Sequence, residues 1–475
     1  MKSWLSKLLN NLRTSLWFIP TLMVIGAALL SLLTQYVDTT LVGHEMPRWI
    51  EVFTYAGEPD GARTILGAIA GSMITVAGTV FSITIVALSL ASSQFGPRLL
   101  RNFLSDRGNQ AVLGTFVATF LFCILVMRQV YGEASASRPD VPAVSVTVAI
   151  ALGVVSLGVL IYFIHHIAQS MQAEHIVSTV YEELRAQVAH MFPEKTGTPA
   201  DAQTRKPEET DIEAALDREG QLLVSNGSGY IQAVDADSLL GLAQQHQLVI
   251  RLALRPGDFV LPEAALVFVL PRLDEQQTKD LTLKVRECFA LDMCRTPHQN
   301  IEFGIDQIVE VAVRALSPGI NDPFTAMTCI DRLGAVLSLL TNRTIPSPYR
   351  TCSSGKIRLI IPPVSYRSLV ERAFSQIRQN ARTVPSVIIR LTETIARVGE
   401  RESISRRRIL LRQVMAIAEH SNALDSTCDR KDLEERIQGT RHVLERDQSD
   451  PPQSSREAVE RYRRRIEELR VESGD

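Results

Sequence analysis

The chain has 475 residues, of which 45% are hydrophobic and 21% are charged, and its formal net charge is −2. It is too long for one domain and too charged to lie wholly in a membrane, and its near-neutral charge argues against a nucleic-acid-binding protein. Up to about residue 170 the chain is mostly apolar, whereas the remainder carries most of the charge and all but one of the six cysteines. We therefore expect a membrane domain over residues 1–170, followed by a large soluble region.

Four apolar stretches in the first part are long enough to cross a bilayer as helices. They are Leu16 to Tyr36, Leu66 to Ser92, Ala111 to Val130, and Ala143 to Ile164. The second is unusually long, because a helix from Leu66 to Ser93 reaches roughly 42 Å against about 30 Å of hydrocarbon. We expect this helix to tilt or to project beyond the membrane.

The second stretch carries a seam of hydroxyl side chains at alternating spacings of three and four residues, which places them on one side of a helix. We call the following residues the hydroxyl seam, with Val86 filling one position: Ser72, Thr75, Thr79, Ser82, Val86, Ser89 and Ser93. Polar groups in lipid need water or a neighbouring helix, so the seam predicts a pore lining or a tight helix interface. Hydroxyls also bond to carbonyls three or four residues back, so static packing explains the seam as well.

Basic residues in the short loops predict the orientation. They lie before the first span and between the second and third: Lys2, Lys7, Arg13, Arg98, Arg101 and Arg107. The positive-inside rule places both segments in the cytoplasm, and four spans return the soluble region to the same side. The remaining two loops, one of them mildly acidic and containing Asp38, are then expected outside. Unpaired cysteines agree with a reducing compartment.

Polar groups at the inner end of the spans suggest a pore mouth. Arg98 and Arg101 follow the seam directly, and a ring of subunits would place them in a cationic collar. A positive-inside anchor explains the same arginines without a pore. His165 and Gln169 share a helical face at the end of the fourth span. An interfacial helix end reached by water is the simpler interpretation of these two residues, because a metal site needs more donors than this segment provides.

The soluble region divides by its sequence pattern. We predict a helical extension over residues 171–192, a flexible linker over 193–220, and a small β-barrel or sandwich over 221–275. A mainly helical domain over 276–424 and a charged helical tail over 425–475 follow, and we expect water to surround the tail. The predicted fold class is thus a membrane protein with four transmembrane α-helices and a large cytoplasmic α+β region.

One helix of the soluble region carries an acidic stripe, and a constrained joint follows it. We expect the stripe, formed by Glu302, Asp306 and Glu310, to be solvated. In the joint, Ser317 and Gly319 end one helix, and Asn321 or Asp322 caps the next. Free amides at such a helix start favour anions, so the joint is a candidate site for a ligand or partner, although packing explains it equally well.

Catalytic motifs give no support for an enzyme. The chain contains no GxGxxG, Walker A, GxSxG or HExxH sequence. We therefore predict no catalytic residues, no cofactor and no metal.

Several longer strings carry a resemblance to a known family. They are QFGPRLLRNFLSDRGNQAVLGTF (94–116), HHIAQSMQ (165–172), GYIQAVD (229–235), RPGDFV (255–260) and EFGIDQIVEVAVRALSPGINDPFTAMTCIDRLGA (302–335). Over nearly all of the chain up to about residue 420, the sequence resembles the DUF2254 family of bacterial predicted membrane proteins. The resemblance implies this topology and placement in the bacterial inner membrane. It implies no catalytic residue.

Two interpretations of function remain open. In the first, several copies surround a pore lined by the hydroxyl seam, the soluble region forms a vestibule, and inorganic ions are the cargo. In the second, the membrane helices anchor a cytosolic sensory or scaffold module, and the joint from Ser317 to Phe324 binds its ligand or partner. The expected partners are the lipid bilayer and further copies of the chain, and not nucleic acid.

Overall fold

The computed structural model describes residues 17–41, 54–96, 106–130, 141–192, 207–297 and 299–446. Its first part consists of α1 (Phe18–Leu41), α2 (Pro59–Phe95), α3 (Arg107–Met127) and α4 (Ala143–Ser170). All four are long and apolar enough to cross a membrane. The four predicted spans are therefore confirmed as helices, and α2 begins well before its predicted start.

The helix α3 lies at the centre of the membrane domain, in contact with α1, α2 and α4. Phe116 and Phe122 of α3 are fully buried among these helices. Polar contacts join α4 to both α3 and α1. The hydroxyls of Thr119 on α3 and Ser156 on α4 lie 3.2 Å apart. Asp38 of α1 accepts hydrogen bonds from Val144 N and Ser145 N of α4 at 2.9 and 3.1 Å. Asp38 thus caps the start of α4 and is buried, rather than adding charge to an outer loop.

The helix α2 extends well beyond a membrane span. Its 37 residues give a length of about 55 Å. Leu66, Met73 and Val80 pack among the membrane helices, whereas Ala91 belongs to the hydrophobic core of the soluble region. One continuous helix therefore joins the two parts of the molecule.

The soluble region begins with two helices, which are followed by a β-rich module, residues 221–297. The elements in chain order are α5 (Ala173–Met191), α6 (Pro207–Glu219), β1 (Gln221–Val224), β2 (Gly229–Val234), α7 (Ala236–Gln245), β3 (Val249–Leu252), β4 (Phe259–Val260), β5 (Ala265–Leu270), α8 (Glu275–Glu287) and β6 (Phe289–Asp292). Later strands are β7 (Tyr349–Thr351) and β8 (Ile357–Ile360). One sheet has the order β1-β5-β3-β8-β7 and the other β4-β2-β6, and neither closes into a barrel.

The rest of the soluble region is helical. Its helices are α9 (Ile301–Ala315), α10 (Pro323–Leu339), α11 (Tyr366–Asn380), α12 (Pro385–Gly399), α13 (Ile404–Ala418) and α14 (Thr427–Glu445). Together with α5 they enclose the largest hydrophobic core of the protein, around Leu184, Ile305 and Leu333. The strong apolar face of α9 lies in this core, as its sequence pattern predicts.

The structure differs from three predictions in the soluble region. A helix, α6, occupies the second half of the segment expected to be a flexible linker. The strands β7 and β8 lie within the segment expected to be mainly helical, and β8 pairs in parallel with β3. The first part of the tail forms α14, which buries Leu433, Ile437 and Leu444 instead of being surrounded by water. Residues 447–475 lie outside the described residues.

Candidate functional site: the hydroxyl seam and its attachment to the soluble region

Each residue of the hydroxyl seam is exposed along α2. The packed side of the same helix consists of Met73, Ala77, Val80, Ala87 and Ala91, all of which are buried. At about 100° per residue, the two sets fall on opposite sides of the helix. Apart from Ser93, whose carbonyl accepts from Arg314 of α9, the seam therefore faces away from the other described helices, which leaves it available to a partner outside the chain.

The hydroxyls of the seam are partly satisfied by their own helix. Thr75 and Thr79 donate to the carbonyls of Gly71 and Thr75 at 2.8 and 3.1 Å, and Ser93 donates to Leu90 O at 2.9 Å. Ser72, Ser82 and Ser89 make no hydrogen bond to any of the described residues. The seam thus presents a row of hydroxyl oxygens, some of which still have a hydrogen to donate.

The predicted inner mouth is only partly visible in the described residues. Arg98 and Arg101 lie outside them, so the cationic collar stays a prediction. His165 and Gln169 are exposed on α4, as expected of an interfacial helix end. The structured contact at this level is instead made by His166, whose Nε2 lies 2.7 Å from Asp106 Oδ2.

Asp106 fixes the start of α3 against the end of α4. Its Oδ1 accepts from Gly108 N at 2.7 Å as an N-terminal cap, and its Oδ2 holds His166, which stacks on Tyr162 with ring centroids 5.3 Å apart. Sequence reasoning missed this pair because the two residues are 60 positions apart. The cap itself was detectable, since Asp precedes the apolar stretch.

A crevice marks the level at which the membrane domain ends on the side of the soluble region. It is lined by Trp17 at the start of α1, Asn109 near the start of α3, Ile167 near the end of α4, and Leu88 of α2. Its lining on α2 runs from Val80 to Leu88, and three other spans begin or end beside it, so Leu88 is the last residue of α2 at this level. The last two turns of α2 project beyond this crevice into the soluble region, where Ala91 packs in the hydrophobic core.

The projecting end of α2 is held by α9. Arg314 Nη1 donates to Ser93 O at 2.8 Å and to Ser92 O at 3.4 Å in the last turn of α2, and Ser92 O also accepts from Gly96 N at 3.2 Å. Gly96 ends α2 with φ of 105° and lies in close contact with the Glu310 carboxylate. A side chain at this position would clash with Glu310 and strain the backbone, so only glycine fits.

The acidic stripe of α9 is not solvated, which corrects the expectation from sequence. Asp306 accepts from Arg372 Nη1 at 2.9 Å and from Arg295 Nη1 at 3.2 Å. Glu302 is buried, with Arg255 Nη2 at 3.5 Å and Arg372 Nη2 at 3.6 Å. Arg255 and Arg295 belong to the β-rich module and Arg372 to α11, so this ion cluster joins the β-rich module to the helical core.

The α9–α10 joint has the capping geometry predicted from its sequence. The Asp322 carboxylate accepts from Thr325 N at 3.1 Å and also binds the Thr325 hydroxyl. Ser317 Oγ donates to Arg314 O at 2.7 Å, and Asn321 adopts φ of 49°. Gly319 is exposed, and a Cβ there would meet nothing within 4 Å. The joint is therefore a structured turn, and its role in binding a ligand stays a prediction.

The cysteines differ sharply in their surroundings. Burial raises the pKa of Cys288 to about 11, and burial also raises the pKa of Cys329. At the partly exposed Cys352, a hydrogen bond with the Ser354 hydroxyl lowers the pKa to about 7. No group of three or more His, Cys, Asp or Glu side chains within the described ranges has the geometry to hold a metal ion.

Comparison with known proteins agrees with this architecture. A family model described as predicted membrane protein (DUF2254) matches residues 13–397. The chain belongs to this family. The chain is similar to two uncharacterized proteins, Rv1290c of Mycobacterium tuberculosis and Mb1321c of Mycobacterium bovis. Each is 32% identical over 416 residues, which cover 86% of this chain and 76% of the relative. No solved structure matches the chain.

Proposed function

We propose that this DUF2254 protein is an ion channel of the bacterial inner membrane, in which several copies surround a pore lined by α2. The observation that carries the proposal is the exposure of the whole hydroxyl seam on the side of α2 that faces away from α1, α3 and α4. Hydroxyl groups that face lipid tails are unfavourable, whereas water or a neighbouring α2 satisfies them.

The dimensions of the seam suit this role. From Ser72 to Val86, before the level of Leu88, the seam covers roughly 21 Å of helix, most of the about 30 Å of a hydrocarbon core. Gly71 and Gly78 are exposed on the same helix, with open space where a side chain would stand, so neighbouring backbones can approach closely. In this proposal the termini and the soluble region are cytoplasmic, and the soluble region forms the vestibule.

The link between α9 and α2 supplies a means of gating in this proposal. Arg314 binds the projecting end of α2 and Glu310 lies against Gly96, while Glu302 and Asp306 of the same helix bind arginines of the β-rich module. A displacement of that module would reach the pore helix through α9, which is a single rigid element. The alternative function, an anchored sensory or scaffold protein, is supported by the seam threonines that already bond to their own backbone.

The test is single-channel current from the purified full chain in planar bilayers with asymmetric potassium chloride. Thr79→Val removes a seam hydroxyl and keeps the side-chain shape. Thr84→Val is the matched control, because Thr84 makes the same type of bond, to Val80 O at 2.8 Å, on the partly buried side of the same helix.

Discrete openings whose conductance falls in Thr79→Val and not in Thr84→Val would support a pore lined by the seam. Equal effects of the two variants would contradict the assignment of the seam. Silence of folded, inserted protein over a range of voltage, pH and membrane tension would contradict the channel itself and favour the anchored scaffold.

A further inference from the structure

The tip of the α9–α10 hairpin, residues 317–324, combines two unusual properties. It exposes large apolar side chains, with 42% of Ile320 and 75% of Phe324 accessible. It also follows directly after Arg314, the residue that binds the end of the membrane helix α2. Neither property is explained by the packing of the hairpin, whose core side chains, such as Ala326 and Ile330, are fully buried.

The contacts between α9 and α2 show in which direction the hairpin points. Glu310 lies against Gly96, and Arg314, one helical turn later, binds the carbonyls of Ser92 and Ser93, one turn earlier. The two helices therefore run antiparallel where they meet. Since α2 leaves the membrane in this segment, α9 runs towards the membrane.

The height of the tip follows from the same contacts. We take Leu88, the last residue of α2 that lines the crevice, as the membrane boundary; it lies one helical turn before Ser92, about 6 Å along the axis. Past Arg314, α9 ends at Ala315, and the turn through Ile320 extends beyond the helix end before the chain returns at Asp322, whose N–H donates to Ala315 O. The headgroup layer is itself roughly 5–7 Å thick on each side of the hydrocarbon, so the tip reaches it.

The chemistry of the tip fits this environment. Its only ionisable side chain is Asp322, whose carboxylate is engaged by Thr325 N and the Thr325 hydroxyl. Its backbone is also bonded internally: Asn321 N donates to Ser317 O at 2.9 Å and Asp322 N donates to Ala315 O at 2.7 Å. Apolar side chains on an internally bonded turn can enter a lipid interface without leaving peptide groups unsatisfied.

We propose that the α9–α10 tip is a lipid-binding site, in which Ile320 and Phe324 insert into the surface of the bilayer beside α2. The insertion gives the soluble region a further attachment to the membrane, in addition to its covalent link with α4 and its contacts with the end of α2. This inference does not depend on channel activity, because it rests on the position and exposure of the tip alone.

Site-specific fluorescence in lipid vesicles tests the proposal. A cysteine is introduced in the full chain by Phe324→Cys or by Ile320→Cys and is labelled with an environment-sensitive fluorophore. The accessible native cysteines, Cys294, Cys352 and Cys428, are first replaced by serine, and the buried Cys123, Cys288 and Cys329 are retained. Met293→Cys is the matched control, since Met293 is 74% accessible but lies beside the opposite end of α9, near Arg295 and Asp306.

We expect blue-shifted emission from labels at 320 and 324, strong quenching by a lipid-borne quencher, and weak quenching by aqueous iodide. The label at 293 should show the reverse. Iodide quenching at 320 and 324 equal to that at 293 would overturn the proposal by showing an aqueous tip. Protection from both quenchers would also overturn it, and would show that protein, such as a second copy, covers the tip.

Discussion

Replacing Arg314 with alanine removes the side chain that holds the projecting end of α2. The guanidinium donates to Ser93 O at 2.8 Å and more weakly to Ser92 O at 3.4 Å, and it lies 3.8 Å from the Glu310 carboxylate. These carbonyls end a 37-residue helix, where the helix dipole favours a positive charge. The substitution should therefore loosen the last turn of α2 without disturbing its membrane segment.

The size of the effect follows from the contacts. A hydrogen bond from a charged donor contributes about 1.5–3 kcal/mol, and the longer bond adds little. The ion pair with Glu310 also contributes little, because Arg314 is about one third exposed. A loss of about 2 kcal/mol in local opening free energy corresponds to roughly 30-fold faster exchange of the terminal amides of α2.

Hydrogen exchange followed by mass spectrometry measures this directly on the full chain in nanodiscs. Arg314→Lys keeps the charge but loses the forked donor, so the exchange rate of the terminal amides of α2 should lie between that of wild type and that of Arg314→Ala. Arg185→Ala is the control, since its pair with Glu182 at 3.3 Å is well exposed and should not affect α2. Unchanged exchange between residues 92 and 96 in Arg314→Ala would refute the assignment of Arg314 as the cap of α2.

Two further predictions concern the soluble region. Asp306→Asn leaves Arg295 and Arg372 facing each other without this shared carboxylate, so we expect the free energy of unfolding to fall by about 2–4 kcal/mol, seen as a lower unfolding midpoint. Asp331→Asn is the control: its pair with Arg390 at 3.9 Å is exposed, so the free energy of unfolding should change by less than about 1 kcal/mol. Equal unfolding midpoints for the two variants would count against the ion cluster. The thiolate is the reactive form of cysteine, so the alkylation rate of Cys352 should reach half its maximum at about pH 7 and decrease at lower pH. Ser354→Ala should move this midpoint upward towards the ordinary cysteine pKa of about 8.5. An unmoved midpoint would exclude the Ser354 hydroxyl as the cause of the lowered pKa.

Local features of the fold were predictable from sequence because they depend on neighbouring residues. The apolar stretches predict the four spans, since backbone groups in lipid must be satisfied within a helix. The seam was visible as a spacing along α2, and the cap by Asp322 as a residue type before a proline. The role of Gly96 was only half visible: glycine predicts a helix end, but the contact with Glu310 joins residues more than 200 positions apart.

Features that join distant segments were not predictable, and the acidic stripe shows why. A row of Glu302, Asp306 and Glu310 has the same spacing whether it faces water or arginines. Its partners Arg255, Arg295 and Arg372 come from separate elements, and nothing local in α9 specifies them. The same holds for α14, whose few buried apolar residues look like those of a solvated helix until its packing partner α12 is known.

The sequence by itself determined which segments lie in the membrane, where α2 carries hydroxyls, and how the joint between α9 and α10 turns. Hydrophobicity, helical periodicity and capping chemistry act over a few residues, so a single chain shows them directly. Only the tertiary structure decided that most of the seam faces away from the other described helices, that Arg314 caps α2, and that the hairpin tip exposes Ile320 and Phe324. Those properties depend on the direction in which packed helices meet, which is set by contacts between residues far apart in the chain.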